Sequence, residues 1–434
     1  MTGSPLPGLA LLPSALAVVL IVLSRRRPAL RETWSVLAAL GQTAAVAAMI
    51  PSALAGAPLA WSPIAIADGI PLVLRADPLG VLFATVASGL WVLTTVYSIG
   101  YTRALREHAQ TRYFASFALC LFATVGLALA GNLVTFFCFF ELLTVATYPL
   151  VIHHETEAAN RAGRVYLLYT LTAGAALLGA VAWTHAVAGR TDFEPGGILA
   201  GAGATPAALW GLFVLCLVGC GVKAAIVPLH TWLPIAMIAP TPVSALLHAV
   251  AVVKAGVFGL ARVTGFVFGP ALLRDLGAAD FLAALALATI LLGSLGALVQ
   301  DNLKRLLAFS TVSQLSYIVL GVALGGPDAV AGGVLHIASH GLLKITLFFC
   351  VGALAVTAHA ERVSELDGIG WRMPVTMTAF AVAAFLLAGL PPGLAFVSKW
   401  RLLAGAAGNG AWLAVATLSA SAVLNIAYFA PIVL

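Results

Sequence analysis

Apolar stretches of roughly 18 to 25 residues follow one another from end to end of the chain, separated by short polar segments. At a rise of about 1.5 Å per residue, each stretch is long enough to cross a hydrocarbon layer of about 30 Å. Hydrophobic residues make up 62% of the 434 residues and charged residues only 9%, against about 25% charged residues in soluble domains. This composition excludes a soluble enzyme, a nucleic-acid-binding protein and a secreted disulfide scaffold. We therefore predict an all-α polytopic membrane protein.

Hydropathy predicts about thirteen transmembrane helices in this chain. The five cysteines all fall inside these spans without metal-ligand or disulfide spacing, so we interpret them as packing residues. The predicted spans lie near residues 7–24, 34–55, 78–100, 113–130, 132–152, 165–188, 207–226, 241–261, 281–299, 306–325, 329–357, 374–400 and 405–434.

The loop charges predict an orientation. With the N-terminus outside, the inside loops hold thirteen basic residues, Arg31 among them, and the outside loops hold five. Because positively charged loops stay on the cytoplasmic side, this asymmetry favours an outside N-terminus and explains the formal net charge of +6 without an acidic partner. The five basic residues assigned to outside loops are Arg75, Arg190, Arg262, Arg274 and Arg401.

Four of the five lysines lie inside predicted spans: Lys223, Lys254, Lys344 and Lys399. Each costs roughly 2.5 to 3.5 kcal/mol on insertion scales, and the only carboxylate predicted inside the membrane is Glu141. At least three of these lysines must therefore be hydrated, share hydrogen bonds with neutral groups, or lose their protons, which is the chemistry of a proton relay. The alternative is snorkelling from helix ends, to which Lys399 is the most exposed.

Two of the lysines lie beside proline breaks. Lys223 precedes Pro228 in the seventh predicted helix, and Lys399 follows Pro391 and Pro392 in the twelfth. These helices are an odd number of crossings apart and run in opposite directions, as an inverted-topology repeat with ion sites near the midplane would require. Ordinary proline kinks are the alternative explanation.

The eleventh predicted helix carries His336, His340 and Lys344 at i, i+4 and i+8, on one face and over about 12 Å. This stack predicts a proton relay, with buried hydrogen-bonded histidines as the alternative and metal binding disfavoured by the lysine. His248 and Lys254 are six residues apart, about 120° from sharing a helix face, so we expect them to contact different neighbours.

Several motifs together resemble one known family. They are FFCFFELLTVATYPL around Glu141, VPLHTWLPIAMIAPTPVSALLHAVAVVKAGVFGLARV over 227–263, DNLKRLLAFSTVSQLSYIVLG over 301–321, HIASHGLLKITLFF and LPPGLAFVSKW. They resemble the antiporter-like family: proton-pumping subunits of respiratory complex I, the A-type and D-type subunits of Mrp-type Na⁺/H⁺ antiporters, and their equivalents in membrane-bound hydrogenases. The resemblance covers nearly all of the chain from residue 70 onward.

The family implies a bundle of 14 helices with two inverted five-helix repeats and broken helices seven and twelve. We therefore expect N-terminal helices one to three over residues 1–112, a first repeat over 113–262 and a second over 263–434. The chain stops at Leu434, so the fourteenth helix is expected to be absent. The sequence also departs from the family at Ile235, where related motifs often carry an acid.

The resemblance also implies roles for individual residues. Glu141 matches the acid of the fifth helix that pairs with the lysine of the seventh, here Lys223. Lys399, which matches the terminal relay residue, favours the Mrp-D-like or related branches, since some complex I members carry glutamate there. The remaining matches are His248 and Lys254 in the eighth helix and His336, His340 and Lys344 in the central relay of the eleventh.

The expected function is proton translocation by an integral membrane subunit of a complex of the Mrp, complex I or hydrogenase type. We expect a bacterial inner-membrane location, and no cofactor, metal or redox centre within the chain, because no dinucleotide loop, cysteine ligand set or haem motif occurs. The rivals are a stand-alone secondary transporter of a small solute, which needs a bulky cavity, and a scaffold with vestigial ion sites. The sequence leaves open Na⁺ coupling, the parent complex and the energy source.

Overall fold

The computed structural model describes residues 2–67 and 70–433 and is built almost entirely of helices. Within those residues, twelve helices are long and apolar enough to cross a membrane, and two helices of 15 residues each lie between the eleventh and the last. In chain order the helices are α1 (Leu6–Leu23), α2 (Pro28–Leu54), α3 (Pro78–Ala104), α4 (Gln110–Ala128), α5 (Leu133–Val151), α6 (Glu157–Ala188), α7 (Pro206–Lys223), α8 (Thr241–Phe268), α9 (Ala278–Leu298), α10 (Leu303–Leu324), α11 (Pro327–Thr357), α12 (Pro374–Ala388), α13 (Leu394–Gly408) and α14 (Trp412–Val433).

Local sequence explains where several helices begin. Asn132 caps α5, because its side-chain oxygen accepts a hydrogen bond from the backbone N–H of Thr135 at 2.8 Å. Asn302 caps α10 in the same way through the N–H of Arg305, at 3.0 Å. Proline occupies the first turn of α2, α3, α7, α11 and α12, where its missing N–H would have no helical partner in any case.

The helices differ sharply in burial. Every residue in the most apolar 18-residue stretch of α8 is buried, against 33% in the corresponding stretch of α1. The outer helices instead expose large apolar side chains, such as Leu23 (75% exposed) and Val375 (83%). Apolar side chains at such exposure suit contact with lipid. The centre of the bundle is therefore α8, with α10 and α11 packed against it.

Helix α8 is not regular along its length. It contains two π-helical segments, Leu246–Val250 and Val263–Phe268, separated by an α-helical segment. A π turn closes its hydrogen bond five residues back and changes the angle between successive side chains, so the 120° separation expected for His248 and Lys254 does not apply. Both side chains reach α11, but His248 packs on Phe348 whereas Lys254 bonds to Ile337 and His340, so their neighbours differ as expected.

The described residues also form five short strands, which the all-helical prediction did not include. Thr2–Gly3 (β1), Leu59–Trp61 (β2) and Leu74–Ala76 (β5) form a three-stranded sheet in the order β1-β2-β5, with β1 parallel and β5 antiparallel to β2. Ala65–Ala67 (β3) and Ile70–Pro71 (β4) pair as a separate antiparallel ribbon. All but β1 lie in the connection from α2 to α3, whose last strand ends one residue before Asp77, the cap of α3.

The helical prediction is confirmed, and most predicted spans match helices to within a few residues. The twelfth predicted span is divided into α12 and α13 by Gly389–Gly393, which is the predicted break. Helix α14 therefore corresponds to the thirteenth predicted span, 405–434. Two of the cations assigned to loops are buried instead. Arg31 and Arg262 are not loop residues but lie buried in α2 and α8, with 4% and 0% exposure. Glu141 is also not the only carboxylate within the bundle, since Glu32 and Asp77 are buried at 5% and 6% exposure.

Candidate functional site

Lys223 ends α7 at the predicted break. The chain is not helical from there to Trp232, which begins the one-turn helix Trp232–Ile235. Lys223 is completely buried, and its ammonium donates a hydrogen bond to the carbonyl oxygen of Phe140 in α5. The same Nζ lies 3.5 Å from the centroid of the Phe140 ring. A carbonyl and an aromatic face therefore replace the carboxylate that a buried ammonium usually needs.

Glu141 follows Phe140 but does not bond to Lys223. Its carboxylate lies against Gly174 of α6, where a Cβ atom would be only 2.6 Å from Oε1. Glycine at this position leaves space for the acid. Oε1 is buried without a hydrogen-bond partner in the described structure, and no oxygen of Glu141 lies within 4.0 Å of the Lys223 ammonium. The predicted switchable ion pair is thus open here, and it stays a prediction.

Lys254 connects α8 to α11. Its side chain is completely buried, and Nζ donates to the carbonyl oxygen of Ile337 at 3.2 Å. Nζ also lies 2.9 Å from Nδ1 of His340, which is a direct hydrogen bond between two titratable groups. His340 Nε2, on the other side of that ring, has no partner among the described residues.

His336 continues the series one turn away in α11. The centroids of the His336 and His340 rings are 6.0 Å apart. His336 Nδ1 lies 2.9 Å from the hydroxyl of Ser398 in α13, and Nε2 lies 3.0 Å from Oε1 of Gln314 in α10. Both ring nitrogens thus have polar partners. The amide oxygen of Gln314 can only accept a hydrogen bond from Nε2–H, which leaves Nδ1 as the nitrogen that can take up and release a proton.

Lys399 lies at the break between α12 and α13, where the structure brings it close to the histidines. Its Nζ donates to the carbonyl oxygens of Leu387 (2.7 Å) and Ala388 (3.3 Å), which end α12 without helical partners. Nζ also lies 4.8 Å from the centroid of the Tyr317 ring, and that ring stacks on His336 at 5.3 Å. Lys399 is half-buried, and these contacts favour a bonded position facing the bundle over the snorkelling alternative.

Two predicted site residues stand apart from this series. Lys344 donates to the carbonyl oxygen of Leu307 in α10 at 3.1 Å and makes no hydrogen bond to His340, although both lie in α11. His248 is completely buried, packs 5.1 Å from the Phe348 ring, and has no partner on either nitrogen in the described chain. The three-residue stack predicted in α11 therefore consists of two neighbouring histidine rings and a lysine whose side chain turns toward α10.

Sequence reasoning missed a second polar group beside His336. Gln314 Nε2 donates to Oδ1 of Asn425 at 3.3 Å, and the Tyr428 hydroxyl donates to the same oxygen. Tyr428 and Ser310 then join their hydroxyls at 2.7 Å. This group connects α11 to α14 through α10. Its members are neutral and individually common in helices, so no charge or spacing in the sequence marks them.

A buried ion pair was also missed. Arg262 makes two hydrogen bonds to the Asp77 carboxylate, at 2.7 and 2.9 Å, although the residues are 185 positions apart. Phe193, Phe258 and Phe266 surround its guanidinium at 4.9 to 5.2 Å. The end of the motif over 227–263, GLARV, carries this arginine, and the Asp-Pro pair that opens α3 is the signal that could have identified its partner.

A cavity of about 880 Å³ opens at the end of the bundle where α3, α9 and α11 finish and α8 and α10 begin. It is lined by charged loop residues and by none of the eight predicted site residues. His153, beside Glu107, holds the pKa of that carboxyl below its usual range. The pKa of Asp301 is lowered because Ser364 donates to it from the backbone N–H and the hydroxyl. The mouth of the cavity is thus anionic as well as cationic.

A family model described as "NADH:quinone oxidoreductase/Mrp antiporter, TM" matches residues 130–425. NADH-quinone oxidoreductase subunit N of Desulforudis audaxviator is 36% identical over 369 residues, covering 83% of this chain and 71% of the relative. The A/B subunit of a probable K⁺/H⁺ antiporter from Rhizobium meliloti is 35% identical over 335 residues, or 76% of this chain. The chain spans only 32% of that second relative's length.

Solved structures share the fold over nearly the whole chain. A chain of the Mrp complex from Dietzia sp. DQ12-45-1b superposes with a TM-score of 0.89 at 27% identity, covering 99% of this chain and 79% of that chain. A chain of an archaeal membrane-bound sulfane sulfur reductase superposes with a TM-score of 0.87 at 24% identity, covering 99% and 88%. The second likeness shows the fold alone.

Proposed function

We propose, from the premise that the chain belongs to the NADH:quinone oxidoreductase/Mrp antiporter transmembrane family, that it is a proton-translocating subunit of a multisubunit membrane complex. The chain is an integral membrane protein, and we place it in the bacterial inner membrane. Protons move alone or in exchange for Na⁺, and the partners are other membrane subunits of an Mrp-type, complex I-type or hydrogenase-type assembly.

One observation supports this function most strongly: titratable side chains from three helices form a series that is buried at Lys254, His340 and His336 and half-buried at Lys399. Lys254 of α8 bonds to His340 of α11, whose ring is one turn from His336. His336 reaches α13 through Ser398 and contacts Tyr317, over which Lys399 lies. Proton transfer requires a series of groups that can each change protonation. A fixed structural core does not require such groups.

The bonding of the lysines suits release of a proton. Lys254 and Lys399 donate to backbone carbonyls and neutral groups. A carboxylate partner would favour the charged form strongly, whereas neutral acceptors leave the ammonium free to transfer a proton to an adjacent base. In this series the adjacent base is His340, 2.9 Å from Lys254.

Glu141 and Lys223 act as the switch that starts transfer. In the open arrangement the acid has an orphan buried oxygen and the lysine depends on one carbonyl and one ring. Closing the pair stabilises both charges, and opening it removes the counter-ion from Lys223 and promotes release of its proton. The proton then travels laterally, from the Lys223 and Lys254 region through α11 to Lys399.

The division into 1–112, 113–262 and 263–434 is part of the same proposal. Two equivalent pairings support the inverted repeats. Asn132 caps α5 and forms an isolated bridge with Asp192 beyond α6, while Asn302 caps α10 and forms one with Arg362 beyond α11. The same cap and the same bridge thus recur five helices later.

Proton movement in sealed inside-out vesicles tests the function. Vesicles that carry the chain with the subunits that copurify with it should acidify when energised, and Lys254→Ala and His340→Ala should each abolish the signal. His185→Ala changes an exposed histidine at the end of α6 and should transport normally. Na⁺ added after energisation should collapse the gradient only if Na⁺ exchanges for H⁺.

The same vesicles separate this function from a stand-alone solute carrier. A carrier would translocate its solute as the purified chain without partners. Normal proton movement by both the Lys254 and the His340 variants, at wild-type chain levels, would rule out the proposed series.

A further inference from the structure

Four polar side chains from two loops meet at the end of the bundle that carries the cavity. Glu107 and His108 lie between α3 and α4, and His153 and His154 lie between α5 and α6. One nitrogen or oxygen from each of Glu107, His108 and His153 lies within 4.8 Å of the others. Glu107 Oε2 is 3.5 Å from Nε2 of His153 and 3.8 Å from Nδ1 of His154.

His153 is the unusual member of this group. Its side chain is completely buried, yet neither ring nitrogen has a hydrogen-bond partner among the described residues. The ring stacks on His108 at 4.8 Å and meets Tyr113 edge-on at 5.4 Å. Burying an imidazole that makes no hydrogen bond costs free energy, and Nε2 has the Glu107 carboxylate 3.5 Å away, so a cation held between the two groups would stabilise this arrangement. Nε2 points toward the Glu107 carboxylate, where such a cation would lie.

We propose that Glu107, His108 and His153 bind a divalent transition-metal ion, Zn²⁺. Imidazole and carboxylate together suit Zn²⁺, whereas Mg²⁺ and Ca²⁺ prefer sites made of oxygen ligands. The site is independent of the proton series and lies outside the spans.

The three ligand residues need to move only slightly closer together to coordinate one Zn²⁺ ion. Ligand atoms around a tetrahedral Zn²⁺ with bonds of about 2.0 to 2.2 Å are about 3.4 Å apart. Glu107 and His153 already meet this separation, so His108 is the ligand that must move, and it is exposed and free to do so. The loop of His153 is held by Arg112, which pairs with Glu155 and donates to the His153 carbonyl oxygen at 3.2 Å.

Metal binding by the purified full-length chain, with its copurifying subunits, tests the proposal. Isothermal titration with Zn²⁺ should give one site per chain, and Mg²⁺ should not compete. His108→Ala, at an exposed position that should not affect folding, and His153→Ala should each weaken Zn²⁺ binding about tenfold or more. The control His185→Ala should bind Zn²⁺ as the wild type does.

Co²⁺ provides a second readout that does not depend on affinity. Co²⁺ in place of Zn²⁺ should give the intense visible absorption of a four-coordinate site, and His108→Ala should reduce it. Unchanged Zn²⁺ affinity in His108→Ala, or a wild-type chain that binds no Zn²⁺ at micromolar concentration, would overturn the proposal. If His153→Ala fails to fold, His108→Ala still tests the proposal, because it changes an exposed residue and should fold normally.

Discussion

Arg262 and Lys254 lie in the same helix, α8, and both are completely buried, yet their environments are opposite. Arg262 makes two hydrogen bonds to Asp77 and is surrounded by aromatic rings. Lys254 has a backbone carbonyl and a histidine ring nitrogen as partners, and no carboxylate. The partners of each cation offset the free-energy cost of burying it, but only the carboxylate partner of Arg262 keeps the proton on the cation.

The difference distinguishes an anchor from a carrier. An arginine keeps its proton at any physiological pH, and a bidentate carboxylate holds its geometry, so Arg262 and Asp77 join α8 to the start of α3 permanently. A lysine with neutral partners can exist in both protonation states. Burial of a cation therefore does not by itself indicate a proton relay. The partner of the cation determines whether it can release its proton.

The largest effect is expected from breaking the anchor. Arg262→Met removes the bidentate partner of the buried Asp77 carboxylate, leaving it the Gly80 N–H and Arg75 at 3.8 Å, and should lower the free energy of unfolding by about 3 kcal/mol. Thermal unfolding in mild detergent, followed by a thiol-reactive dye, can measure this because four of the cysteines are buried and free. Arg274→Met, at an exposed position, should stay within about 0.5 kcal/mol of the wild type. Equal unfolding temperatures in the two variants would show that the pair is not an anchor.

Substitution by methionine at Lys254 should affect transport strongly and stability little, which is the opposite of its effect at Arg262. Lys254→Met removes a buried ammonium that has no carboxylate partner, so stability should stay within about 1 kcal/mol of the wild type or rise. Proton transport should fall at least tenfold. Both properties can be measured on one preparation by thiol-dye unfolding and by vesicle acidification. A Lys254→Met variant that unfolds as easily as Arg262→Met would make Lys254 a second anchor.

Glu141 and Lys223 test whether an open pair behaves as a carrier. Glu141→Gln keeps the size of the side chain, and Lys223→Ala removes the ammonium, so each should abolish transport and leave a folded chain. Glu157→Gln, at an exposed acid in the first turn of α6, is the matched control and should transport normally. Wild-type pumping by either pair variant would show that the pair is not essential.

The smallest effect is expected where a cation is paired but exposed. Arg401 is 3.0 Å from Asp328, and both side chains are more than half exposed. Arg401→Ala should change stability by less than about 1 kcal/mol and leave transport unaltered, because solvent screens such a pair. Thiol-dye unfolding and vesicle acidification measure both, and a loss comparable with that of Arg262→Met would show that pairing, without burial, is enough to anchor the fold.

Much of the helical fold follows from the sequence because membrane-spanning helices need long apolar runs, and those runs are unmistakable here. The start of α3 at Pro78 and the break after Lys223 were both predicted from local residues. The strands before α3 and the π segments of α8 were not, because short strands and π turns depend on contacts with distant residues rather than on hydropathy.

The candidate site was predictable in its members but not in its connections. Intramembrane lysines and histidines stand out in an apolar chain, so Lys254, His336 and His340 were identified from sequence. Helical spacing could not show that Lys344 turns toward Leu307 instead of His340, since that direction depends on packing against α10. Nor could charge counting show that Arg262 is paired, because its partner lies in another part of the chain.

Lys254→Arg gives the most direct test of the claim that buried lysines carry protons. Arginine preserves the positive charge and a hydrogen-bond donor toward Ile337 and His340 but cannot release its proton. Proton movement is measured in sealed vesicles with wild-type, Lys254→Arg and Lys254→Ala chains at matched levels in the assembled complex. The account predicts that Lys254→Arg assembles normally and does not transport. Normal transport by Lys254→Arg, together with failure of Lys254→Ala to assemble, would make Lys254 a structural cation and contradict the lateral proton path.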